Sequence, residues 1–127
     1  MKKNFIAYEG KEFTIEWYRD SKEKSQALEY YEELPKSQKE KLEFLFRMLG
    51  DTGKIRSKEK FRHEDDQIYA FKPMPDRFLC FFYRGKKVIV TNAFKKKQDK
   101  LPPREKEKAL KLKDDYIKRC SGGKYYD

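Results

Sequence analysis

Lysine dominates the segment Phe94-Lys95-Lys96-Lys97-Gln98-Asp99-Lys100-Leu101-Pro102-Pro103, which follows an apolar run and precedes a helical pattern. Cations held on a short turn between two regular elements can meet several phosphates at once, whereas lysines on a disordered tail lose conformational entropy with each contact. Lys96, Lys97 and Lys100 are therefore candidate polyanion contacts; a merely solvated turn is the plainer alternative. His63 is the sole histidine, and an imidazole titrates in the range that suits acid–base chemistry. It also stands beside Glu64, Asp65 and Asp66, as a surface histidine would. Arg77 opens an apolar run, where a basic residue can serve simply to keep a strand edge soluble. Tyr125 and Tyr126 have faces on which bases stack, but a frayed terminus explains them as well. There is no phosphate-binding glycine loop, Cys/His metal cluster, Ser/His/Asp arrangement or heptad array.

The charge around these residues is uneven. Residues 84 to 127 carry 15 Lys/Arg against 6 Asp/Glu, whereas residues 1 to 34 carry 6 against 8, so the C-terminal third holds nearly all of the net +10. Such a field favours RNA, DNA or an acidic protein segment. A chain of 127 residues forms one domain, 1–127, with a modest core. Although 43% of its residues are charged, 10 Phe, 9 Tyr and one Trp in periodic segments supply the apolar surface that folding requires. Cys80 and Cys120 make neither metal spacing nor a disulfide framework and read as reduced thiols. The start, Met1-Lys2-Lys3-Asn4-Phe5-Ile6, runs into Glu9, Lys11 and Glu12 instead of a signal-peptide core, and no stretch is long enough to span a membrane. The expected compartment is the cytoplasm.

The elements that must position the basic residues follow from periodicity. Phe13 to Tyr18 mixes β-branched and aromatic residues as a first strand does, with Phe5 to Tyr8 extending it or pairing nearby. Ala27, Leu28, Tyr31 and Leu34 share one face of a helix over 25–34 that Pro35 stops. A second helix is expected at once, opened by a Ser37-Gln38-Lys39-Glu40 capping box, carrying Leu42, Leu45, Phe46 and Leu49, and ended at Gly50 or Gly53. Strands are expected over 67–72, 77–83 and 87–94, joined by hairpin-length turns and so antiparallel. The continuous apolar run Phe78 to Phe82 predicts a central strand covered on both faces. Pro103 suits the first turn of a last helix, in which Ala109, Leu112 and Tyr116 share a face, Tyr116 as core. Residues 120–127 read as a flexible tail.

This order of elements, with the segments Lys60-Phe61-Arg62-His63, Ile68-Tyr69-Ala70-Phe71-Lys72, Arg77 to Phe82 and Phe94 to Pro102, resembles the RelE/ParE toxin superfamily, particularly its HigB-like, phage-derived branch. The resemblance runs from about Phe13 to Ile117. It implies an α+β RelE-like fold, in which a helical hairpin packs on a small twisted antiparallel sheet with a C-terminal helix. The lysine turn matches Phe-x-Lys-Lys-x-x-Lys-x-Pro, and Arg77 takes the place of the family's arginine. Where relatives commonly show Glu-Leu-Arg, this chain has Ala70-Phe71-Lys72.

Three function classes follow. The leading one is the toxin of a type II toxin–antitoxin pair, a ribosome-dependent endoribonuclease that cuts mRNA and inhibits translation without cofactor or metal. The others are a ParE-like, non-enzymatic gyrase inhibitor and a phage or mobile-element RNA-binding protein that has lost activity. For cleavage, the resemblance assigns catalysis to Arg77, His63, Lys72 and Arg62, and RNA or ribosome binding to Lys60, Lys96, Lys97 and Lys100. The implied partners are the ribosome, mRNA and a cognate antitoxin of helix-turn-helix type.

Overall fold

A computed structural model describes residues 4–126. Nine elements follow in the order β1 (Ile6–Glu9), β2 (Thr14–Trp17), α1 (Gln26–Glu32), α2 (Lys36–Thr52), β3 (Phe61–Asp65), β4 (Ile68–Phe71), β5 (Asp76–Tyr83), β6 (Lys87–Lys95) and α3 (Pro103–Ser121). The strands form one sheet in the order β1-β2-β6-β5-β4-β3. The fold is α+β, with the hairpin α1–α2 on one face and α3 on the other. The sheet is mixed, not wholly antiparallel, because β2 pairs parallel to β6. With two helices between them, β2 and β6 need no tight turn, which is what parallel pairing requires.

The apolar run of β5 alternates between two cores. Phe78 and Cys80 join Trp17, Phe46 and Phe71 beneath the hairpin, while Leu79 and Phe81 join Ile89, Ala109 and Tyr116 beneath α3. Because the faces alternate along a strand, residues beside a buried hairpin-side position point to the α3 side. Lys72 follows Phe71 and Arg77 precedes Phe78 in this way.

Two expectations are corrected and one alternative is settled. The Ser37 capping box does not form: α2 begins at Lys36 with Pro35 as N-cap and no side-chain cap. The Pro35 carbonyl already accepts the Gln38 and Lys39 N–H groups at 3.0 Å each, so Ser37 lies inside the helix. Of the two glycines, Gly53 is the C-cap, at φ 79°, where a side chain would be strained. Strand β3 was not expected as a separate strand. It is a sheet edge whose Phe-Arg-His-Glu-Asp sequence shows no apolar alternation, since an edge strand half exposed to water has little to bury.

The C-terminal segment also differs from the expected flexible tail. Helix α3 extends to Ser121, and Tyr125 is 3% exposed in the core beneath α3. The Tyr125 hydroxyl accepts the Arg19 N–H at 2.9 Å, and its carbonyl accepts from the Arg19 guanidinium at 2.7 Å. The Tyr126 hydroxyl donates to Glu16 at 2.9 Å and contacts the Tyr116 hydroxyl. An aromatic pair after two glycines carries enough apolar area to dock where a groove and a cation await it.

Candidate functional site

The α3 side of β3, β4, β5 and β6 meets the turn before α3 in a narrow cleft. Arg62 from β3, Lys72 after β4, Arg77 from β5, and Lys96 and Lys100 from the turn line it, together with Glu64, Gln98 and Asp99. Ala70 and Leu79 form its apolar floor. Five cations face two carboxylates here. The free volume is about 20 Å³, room for about one water molecule, so any larger anion would sit across the mouth of the cleft and not inside it.

Arg77 is held hardest. It is 7% exposed, and its Nη1 donates to the Asp76 carbonyl at 3.1 Å and contacts the Met74 sulfur at 3.2 Å. Burial pulls the guanidinium pKa below its ordinary value, against the opposing pull of Glu64, Asp76 and Asp99. Its position is set from the opposite face of the sheet. Asp76, 4% exposed, accepts from the Tyr30 hydroxyl of α1 at 2.5 Å and from the Gln38 amide of α2 at 2.7 Å. Gln38 also donates to the Pro73 carbonyl at 2.8 Å. The helical hairpin thus anchors the turn from which Arg77 projects.

Lys72 has a different environment. Its Nζ donates to the Lys58 carbonyl at 3.3 Å and its backbone N–H to the Lys60 carbonyl at 2.8 Å. Burial lowers its pKa first, then the charges of Arg77 and Arg62; Glu64 pulls the other way. An ammonium that gives up its proton more readily than an ordinary lysine is a better acid. Lys96 is paired with Asp99 at 2.8 Å, which holds the exposed Asp99 carboxyl below its ordinary pKa.

The cleft therefore unites Arg62, Lys72, Arg77, Lys96 and Lys100 from four segments of the chain. It does not include His63, Lys60 or Lys97. His63 lies across from Tyr69 in the β3–β4 register with ring centroids 4.9 Å apart, and Tyr69 packs on the hairpin-side core. The imidazole therefore faces away from the cleft. Lys60 lines a separate groove beside α2, and Lys97 is exposed on the turn. Sequence reasoning missed two contributors. Asp76 is the buried anchor behind Arg77. Glu64 places a carboxylate in the cleft from the strand next to Ala70, the position where the resemblance leads one to expect a glutamate. The signal for Glu64 was its spacing of two from Arg62, visible once 61–65 is read as a strand.

The structure thus combines an α+β fold with a cationic cleft between the α3 side of its sheet and the turn before α3. Residues 29–114 match the phage-derived Gp49-like family (DUF891), and the chain belongs to that family, which is RelE/toxin-like. No curated protein matches the chain significantly. Among the described residues, no helix is long and apolar enough to cross a membrane.

Proposed function

We propose that this protein is the toxin of a toxin–antitoxin pair and cleaves mRNA on the ribosome. The observation that carries the reading is the convergence of Arg62, Lys72, Arg77, Lys96 and Lys100 on one cleft that also holds Glu64. In the proposed reaction the ribose 2′-oxygen attacks the adjacent phosphorus and the bond to the 5′-oxygen breaks, leaving a 2′,3′-cyclic phosphate and a 5′-hydroxyl. Glu64 accepts the 2′ proton, Lys72 returns a proton to the departing 5′-oxygen, and Arg77 meets the negative charge that grows on the phosphoryl oxygens. Arg62 supports that charge. Lys96 and Lys100 hold flanking phosphates, with Lys60 and Lys97 placed outside the cleft for ribosomal RNA. His63 has no part in proton transfer. A cognate antitoxin holds the activity in check.

The test is primer-extension mapping of transcripts after brief induction in cells. New 5′ ends inside coding regions, lost in Glu64→Gln and Arg77→Ala, are expected. Intact transcripts with trapped gyrase and a DNA-damage response would favour the gyrase reading instead, and RNA binding without cleavage would leave a binding protein.

A further inference from the structure

A second concavity lies on the other side of the molecule. Helix α2 buries Leu42, Leu45, Phe46 and Leu49 against the sheet, yet Phe44 is 51% exposed on the same helix. Ser37, Lys41, Phe44, Met48 and Thr52 all line one groove; spaced by three or four residues, they form a single stripe along the helix. The stripe runs ~22 Å, about four helical turns. Its far wall is the chain after α2, including Ile55, and the turn carrying Met74, which is 45% exposed. The volume is about 970 Å³. An apolar floor of this length on an otherwise highly charged protein marks a docking surface. Its charge selects the partner: Lys41, Lys54, Arg56 and Lys60 border the floor against the single carboxylate of Glu40.

We propose that this groove docks an acidic amphipathic helix of a partner protein, its apolar stripe on Phe44, Met48, Ile55 and Met74 and its carboxylates against the four cations. The groove is coupled to the cleft by its walls. Met74 contacts Arg77, and the Lys60 carbonyl accepts the Lys72 N–H. An occupant therefore bears on the supports of both Arg77 and Lys72 without covering the cleft. The docking does not depend on the RNA-cleavage reading, because it is measured with no RNA present.

The test uses the full chain and two designed helical peptides of roughly 15 residues, sharing a leucine stripe but flanked by Glu in one and Lys in the other. By calorimetry the Glu peptide should bind and the Lys peptide should not. Phe44→Ser, at an exposed site, should weaken the Glu peptide by roughly tenfold or more. Lys54→Glu with Arg56→Glu should reverse the preference between the two peptides. In NMR spectra the Met48 and Met74 methyls should shift with the Glu peptide, together with the Lys72 and Arg77 amides. Equal binding of both peptides, or shifts centred on Lys96 and Lys100, overturns the proposal. So does a concentration-dependent dimer abolished by Phe44→Ser, which assigns the groove to a second copy. Methyl shifts without movement at Lys72 and Arg77 overturn the coupling.

Discussion

Two regions of this protein gather arginines, and they treat them in opposite ways. At the C-terminal latch the Arg19 guanidinium lies 4.5 Å from the Tyr125 ring centroid and 5.1 Å from that of Phe5, while donating to the Tyr125 carbonyl at 2.7 Å. Arg119 donates twice to the Arg19 carbonyl, at 3.0 and 2.7 Å, and lies 4.6 Å from the same tyrosine ring. Neighbouring rings and carbonyls compensate these cations. In the cleft, Arg77 and Lys72 are partly desolvated beside other cations, and the pKa of each is pushed below its ordinary value. A cation whose neighbours offset its burial holds structure together; one whose burial outweighs the pull of the nearby carboxylates, kept in place by packing from behind, would gain from an added anion. Like charges therefore sit in two different environments, which only the tertiary surroundings separate.

The largest expected effect tests that contrast directly. Arg77→Ala should slow single-turnover cleavage of ribosome-bound mRNA by ~10²-fold or more with little change in binding, because its charge is needed most in the transition state. Arg19→Ala should do the reverse: thermal unfolding should show a loss of about 1–3 kcal/mol from the broken ring and carbonyl contacts, with the cleavage rate of the folded fraction unchanged. Equal losses of rate and binding in Arg77→Ala would remove it from transition-state stabilisation. A slowed Arg19→Ala enzyme would join the two regions functionally.

Lys72 sharpens the contrast through pH. Its folded pKa is lowered relative to the unfolded chain, so between the two values the unfolded state binds more protons and stability rises with pH. The cost of keeping Lys72 charged is fully present below the folded pKa and is gone above the ordinary lysine value. As a proton donor, Lys72 loses its function over the same rise. Cleavage rate should therefore fall with pH in the alkaline range while the unfolding temperature gains a contribution, and Lys72→Met should abolish both pH responses. Lys72→Met should also be slightly more stable at neutral pH, as expected where a functional site carries unfavourable electrostatics. A rate that climbs with pH through this window would make Lys72 a base.

A smaller effect is expected from the turn. Replacing Lys96, Lys97 and Lys100 together by Gln should weaken RNA binding and flatten its salt dependence by about 0.7 per lost phosphate contact, with the rate on saturated complexes nearly preserved. The smallest should come from Asp99→Asn. It releases Lys96 from its 2.8 Å ion pair, and RNA titrations should show binding roughly two- to threefold tighter, since an exposed pair holds its partners only weakly. Unchanged affinity would mean that Lys96 does not meet the phosphate.

The hairpin of helices, the central strands, the last helix and the lysine turn were legible in the chain because each is written in local terms: apolar periods of 3.6 or 2, Pro35 and Pro103 as boundaries, and a run of like charges. Strand β3 and the docked Tyr125 were not legible locally, since an edge strand and a tethered aromatic draw their stability from partners far along the chain. The same holds for the site. Sequence determined that Arg62, Lys72, Arg77 and the turn lysines were available and basic. Tertiary structure decided which of them meet. Strand alternation turned Arg62, Lys72 and Arg77 to the α3 side and His63 to the other, and a distant hairpin reached through Tyr30 and Gln38 to fix Asp76 behind Arg77. The β3–β4 pairing set Arg62 opposite Ala70 and brought Glu64 into the same cleft, because which charges become neighbours in a sheet is set by register and pairing, and neither is encoded within a single segment.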